Sequence, residues 1–159
     1  MTAASAAERE PDAGGRGSFY ERVGGEDGLH RLVAAWYPTV LADPLLGPLF
    51  GAGHADHVPH LTAFLVEVFG GPSRYTHQLG GFPALLAPHR DKRIREDQRQ
   101  RFVELFLQAA DTSGLPGDAP TRDALRAYLD FGTDVAMQNS HATSDADLHP
   151  CQEVPRWSW

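Results

Sequence analysis

The residues with most to offer chemically are histidines. His54, His57 and His60 fall within seven residues, in HADHVPHLTAF, and His89 stands between the apolar FPALLAP and the charged RDKRI. An imidazole can ligate a metal, move a proton near neutral pH or donate a hydrogen bond. Two zinc ligands on one helix normally stand four apart, as in H-E-x-x-H, where they share a face. Here the spacing is three and three, so the rings fan across roughly 120° of the helix at about 100° per residue. No glutamate lies between them, and Pro59 falls close to the helix start. That makes a single tetrahedral zinc on all three a poor fit. His54 and His60 are expected to face solvent, whereas His57 shares the apolar stripe of its helix. Cys151 is the only cysteine, so neither an internal disulfide nor a cysteine-based zinc or iron–sulfur site can form in this chain.

These residues must be held by helices. Leu29, Leu32, Val33, Trp36 and Val40 recur at steps of three and four, with Tyr37 bordering the buried face and Pro38 expected to kink the helix. SFYERV, stopped by Gly24 and Gly25, predicts one short helix, and ADPLLGPLF a tight corner. A helix is expected from about His54 to Phe69, with His57, Leu61, Phe64, Leu65 and Val68 on one stripe and GGP ending it. Residues 73–93 read mostly as loop with a short helix near 83–90. IREDQRQRFVELFLQAADTSG predicts a strong helix that turns Ile94, Phe102, Leu105, Phe106 and Ala109 inward. The last helix, 120–139, carries Leu125, Tyr128, Leu129, Gly132, Val135 and Ala136 on one face. No segment alternates with period two for long, so the fold class is all-α.

With 159 residues, 42% of them hydrophobic, the chain can bury a core. Its net charge of −7 and lack of a basic cluster argue against nucleic acid or an anionic membrane as partner. Residues 1–17 read as a disordered leader without the apolar run of a signal peptide, 18–140 as the folded domain and 141–159 as a tail ending in Trp157 and Trp159. A cytoplasmic protein is the expectation. The two tryptophans are costly to expose, so the tail end is expected to dock on the body or on a partner.

Between the two apolar helical faces that flank His89 a flat, mostly apolar ligand would fit, with the histidine below it and polar groups above. Haem needs that arrangement: one axial imidazole for iron, aromatic and aliphatic walls, and a few donors on the open side. Its propionates want cations or hydroxyls at the rim.

The order SFYERVGG, Trp36-Tyr37, GGPSRY, a single histidine ahead of Arg93-Ile94, and QRQRFVELF resembles the truncated haemoglobins, group II most of all, over about residues 18–140. The resemblance implies a two-over-two helical sandwich around haem b, with His89 as the proximal iron ligand. It implies Phe50 as the aromatic on the ring, and Tyr37 as the distal hydroxyl. His57 takes the distal-helix position facing the ligand, beside Leu61 and Phe64, either as a hydrogen-bond donor or as a ligand of the iron itself. Tyr75 and Arg93 fall near the propionates and Ile94 on the proximal side. Group II members usually carry a tryptophan donor where this chain has Phe102, which keeps the wall and loses the donor. Their distal-helix residue is often small, where His57 is large and polar. The implied ligands are oxygen, nitric oxide and carbon monoxide. An unidentified reductase is the implied partner, and dioxygenation of nitric oxide or peroxide reduction the implied chemistry. Two other readings stay open: a helical metal-dependent enzyme on His54, His57 and His60, or a haem-less globin-like interaction domain anchored by Trp157 and Trp159.

Overall fold

A hydroxyl starts the chain's first helix. Ser18 Oγ accepts the N–H of Glu21 at 3.1 Å, capping α1 (Phe19–Arg22). The computed structural model describes residues 17–149 and 153–159; the expected leader, apart from Gly17, and Cys151 lie outside the described residues. Gly24, with φ of 92°, then turns the chain into α2 (Gly25–Ala42). This helix buries Leu29, Leu32, Val33, Trp36 and Val40, the stripe expected from spacing, and runs through Pro38 as one element. Gly28 is required for the close α1–α2 corner, because a Cβ there would stand 1.9 Å from the Val23 carbonyl oxygen.

Asp43 locks the proline-rich corner. Its buried carboxylate accepts the N–H groups of Leu45 (2.9 Å) and Leu46 (3.2 Å) and the Nε–H of Arg101 (2.7 Å). The Arg101 guanidinium, helped by those N–H groups, holds this carboxyl below the usual carboxylate range. The single-turn helix α3 (Gly47–Phe50) follows. Next comes α4 (His57–Val68), which begins three residues later than expected. The delay is local: His54 Nδ1 accepts the Asp56 N–H at 3.0 Å, and the His57 N–H reaches the His54 carbonyl at 3.1 Å, closing a turn ahead of the helix.

The largest departure from expectation lies in 73–93. Instead of loop with one short helix, the chain forms α5 (Arg74–Gln78), α6 (Gly81–Leu86) and a single 3-10 turn (Ala87–His89). Helices this short show no periodicity in sequence and are unstable alone; packing of the buried Tyr75, Phe82 and Leu86 sustains them. Two long helices complete the set, α7 (Glu96–Thr112) and α8 (Ala119–Asn139). Ile94 stands just ahead of α7. Helix α2 packs on α4 and on α7, and α7 on α8, giving the two-over-two helical sandwich; no strand occurs among the described residues.

The end of the tail docks on the same chain. The Trp157 N–H donates to the Val68 carbonyl at 2.7 Å, and its ring stacks on Phe131 (5.5 Å, 25°) with its edge against Tyr128. Trp159 rests against Phe19 at 5.6 Å and donates its Nε1–H to the Gly17 carbonyl at 3.3 Å. Arg156 bonds the carbonyls of Glu67 and Gly71 at 2.9 and 3.2 Å. The tail thus ties the end of α4 to α8 and to the start of α1. No helix among the described residues is long and apolar enough to cross a membrane.

Candidate functional site

His89 closes the 3-10 turn four residues after Leu85, and its Nδ1 lies 2.9 Å from the Leu85 carbonyl oxygen. A carbonyl only accepts, so the ring proton sits on Nδ1 and Nε2 carries the lone pair. Burial pushes the imidazole below its ordinary pKa, against the pull of the backbone carbonyls, and keeps the ring neutral. A neutral imidazole whose second nitrogen donates to a carbonyl is the state of a metal-ligating histidine. The ring lines a cavity of about 40 Å³ with Phe64, Phe82, Leu86, Phe131 and Val135.

The loop beyond His89 is held by backbone. Asp91 and Arg93 adopt left-handed φ values of 62° and 48°, which non-glycine residues resist. Three bonds to the chain after α8 offset that cost: Asp91 N–H to the Ala142 carbonyl (3.0 Å), Arg93 N–H to the Ser140 carbonyl (3.0 Å), and Ile94 N–H to Ser140 Oγ (2.8 Å). Arg93 is exposed and Ile94 half-buried at the edge of this loop.

A second group of side chains forms where α2, α3 and α4 meet. Tyr37 Oη lies 2.5 Å from His57 Nδ1 and accepts the His54 N–H at 2.9 Å. Gly53 permits this approach, since a Cβ there would stand 2.8 Å from Tyr37 Oη. Desolvation and the neighbouring His54 lower the His57 pKa, so this ring is neutral at pH 7. The phenol proton has two acceptors in reach, His57 Nδ1 at 2.5 Å and the His54 carbonyl at 3.5 Å; donated to the nearer one, it leaves the His57 proton on Nε2. Phe50 stands edge-on to both His57 (6.0 Å) and Trp36 (5.9 Å), and Phe102 packs 4.9 Å from Trp36.

Helix α4 links the two groups, with His57, Leu61 and Phe64 one above the other on its inner stripe. Phe64 stacks parallel to Phe82 at 6.4 Å and meets the Tyr75 ring at 5.3 Å. Tyr75, expected near the propionates, is 4% exposed, and burial raises its hydroxyl pKa to about 12. The three opening histidines do not converge. His54 spends Nδ1 on its own turn, His60 is exposed, and no group of three His, Cys, Asp or Glu among the described residues can hold a metal ion. The three-histidine reading therefore lacks a site.

Residues 18–139 match the family model for bacterial-like globins. The chain belongs to the bacterial-like globin family. Within it the globin is 32% identical over 99 residues to the group 2 truncated hemoglobin YjbI of Bacillus subtilis, covering 62% of this chain and 74% of that one. Its fold is similar to the hemoglobin of Chloroflexus aurantiacus (TM-score 0.66, 32% identity, 76% of this chain and 97% of that one). It is also similar to the group II truncated hemoglobin of Bacillus anthracis (TM-score 0.67, 27% identity, 79% and 92%).

Truncated haemoglobins bind haem b, and the donor set of this globin fits that group. It offers one neutral histidine with a free lone pair, an apolar lining around it, and a polar pair on the far side of the α4 stripe. Sequence reasoning missed several participants. The Leu85 carbonyl left no side-chain signal, although its position four residues before His89 marks it as a local acceptor. Phe131 and Val135 of α8 line the His89 cavity, and Val135 was read only as core. Ser140, which fastens Ile94, follows a helix end and carried no signal.

Proposed function

We propose that this globin carries haem b on His89 and binds oxygen, nitric oxide and carbon monoxide beneath a polar pair, Tyr37 and His57, tuned for redox chemistry rather than bulk oxygen transport. The observation that carries this reading is the fixed tautomer of His89, with Nδ1–H on the Leu85 carbonyl and Nε2 left with its lone pair. When bound, haem b supplies an iron that takes up a diatomic gas and exchanges electrons.

The chain's own side chains do the rest. Phe50, Leu61, Phe64 and Phe102 would wall a haem ring and keep water away, with Tyr75 near its propionates and Ile94 on the His89 side. Arg93, exposed on the loop after His89, is the cation for a propionate. Tyr37 orients His57, so the His57 Nε2–H is the donor that faces the gas. Each hydrogen bond in such a dry pocket adds about 1–3 kcal/mol. At ~1.4 kcal/mol per tenfold, that slows escape of a polar ligand by roughly one to two decades per donor.

Slow escape suits consumption of the ligand better than its delivery. In nitric oxide dioxygenation, nitric oxide, oxygen and one electron give nitrate, so a reductase in the cytoplasm would be the partner that supplies the electron. For peroxide, His57 serves as the proton shuttle. An electrode measurement of nitric oxide, with nitrate counted at the end, tests the reading. The expected result is rapid loss of nitric oxide by the oxygenated protein with matching nitrate, slowed in His57→Leu. Loss no faster than in protein-free buffer would contradict it.

A further inference from the structure

Trp36 is 2% exposed, yet its indole Nε1–H has no hydrogen-bond partner among the described residues. Buried indole N–H groups normally find an acceptor, and leaving one unpaired forfeits the hydration it had in the unfolded chain. The neighbours explain why none is found. The ring sits 4.9 Å from Phe102, 5.2 Å from Phe106 and 5.9 Å from Phe50, and these side chains carry no lone pair. Tyr37 stands at 6.1 Å, and its hydroxyl is already engaged with His57 and the His54 N–H. A donor has therefore been buried within the same group of residues that forms the polar side of the candidate site, and the protein's own side chains leave it unused.

We propose that Trp36 is a further donor to the gas ligand, its indole N–H kept unpaired until a polar diatomic molecule stands beside the cluster of Phe50, His57 and Phe102. Resting on the haem-globin reading, this assigns Trp36 a role that Phe102 cannot fill, since a phenylalanine donates nothing. The position suits the task. Trp36 is fixed on the longest helix of the α2–α4 pair, packed by three aromatic rings, so its N–H is preorganised and loses little freedom on engaging a ligand. The competing use of the N–H is a weak contact with the face of the Phe102 ring, which lies at 61° to the indole.

Two readouts separate these. The first is the infrared C–O stretch of the ferrous carbon monoxide complex in wild type, Trp36→Phe and Tyr37→Phe, with the oxygen dissociation rate alongside. Loss of a donor in Trp36→Phe raises the stretch and speeds oxygen release by roughly tenfold, the equivalent of one hydrogen bond. The second needs no change at Trp36 and is independent of activity. Indole ¹⁵N–¹H resonances are followed in the double variant Trp157→Phe/Trp159→Phe, as apoprotein, with haem, and with carbon monoxide added; the one remaining indole signal moves when carbon monoxide is added. An unchanged C–O stretch in Trp36→Phe, or an indole signal indifferent to carbon monoxide, would overturn the proposal while leaving the haem reading intact. Failure of the wild-type protein to take up haem would overturn both.

Discussion

The two sides of the site are built differently. His89 sits in a stretch of short helices and a left-handed loop, positioned chiefly by bonds to backbone and to one serine hydroxyl, at Leu85, Ala142 and Ser140, with the Arg90–Asp145 ion pair (2.9 Å) beside them. Tyr37 and His57 sit on two long helices and are positioned mainly by side chains, through one short hydrogen bond and a cluster of aromatic rings, with the His54 N–H adding a backbone bond to Tyr37 Oη. Backbone contacts tolerate substitution; side-chain contacts do not. The proximal side should therefore be robust to most single changes around His89, and the distal side sensitive to nearly all of them.

That contrast can be broken in several places. The largest effect is expected at Phe64, where α4 serves both sides: Phe64→Ala should cost about 3–5 kcal/mol of stability in urea unfolding, as for other buried aromatics. Next is Tyr37→Phe, which should speed oxygen escape by roughly ten- to a hundredfold through loss of about 1–3 kcal/mol of hydrogen bonding, measured by stopped flow. Its proximal counterpart is Leu85→Ala. This change keeps the carbonyl, so the iron–histidine stretch in resonance Raman spectra should not move even as the cavity wall is trimmed. Ser140→Ala removes the acceptor of the Ile94 N–H and should cost about 1 kcal/mol, with a small shift in the same band.

The smallest effect is a pH dependence of the apoprotein. Burial holds both His57 and His89 below the ordinary imidazole pKa, so as pH falls the unfolded chain takes up protons first. Stability should be at its plateau above about pH 6.5 and should decline below it, levelling only beneath the folded-state pKa values. His57→Gln and His89→Gln should each flatten part of that decline in denaturation curves taken across the range.

The same difference decides what was legible in the sequence. The stripes of α2, α4, α7 and α8 are long enough for a 3.6-residue period to show, and spacing gives much of what they bury; Thr62, Val66, Val103, Ala110 and Thr121 are buried outside the expected faces, and Phe102, Gly132, Val135 and Ala136 are only half-buried. His57 was placed on the buried stripe for that reason. The segment 73–93 was misread as mostly loop, because helices α5 and α6 owe their existence to the burial of Tyr75, Phe82 and Leu86 rather than to any local pattern. The burial of Tyr75 against Phe64 is not legible for the same cause, since nothing local reveals that Phe64 covers it. The bond from His89 to the Leu85 carbonyl is invisible to side-chain reasoning. Docking of Trp157 and Trp159 on their own chain could not be separated from docking on a partner, because burial cost demands a cover without naming it.

The central claim is that His89 presents a lone pair to iron. Its most direct test is the absorption spectrum of the protein reconstituted with haemin, beside His89→Ala, in ferric, dithionite-reduced and carbon monoxide forms. A sharp Soret band at one haem per chain, five-coordinate on reduction and lost or displaced in the variant, is the predicted result. A stoichiometric haem whose reduced spectrum is unchanged in His89→Ala would contradict it.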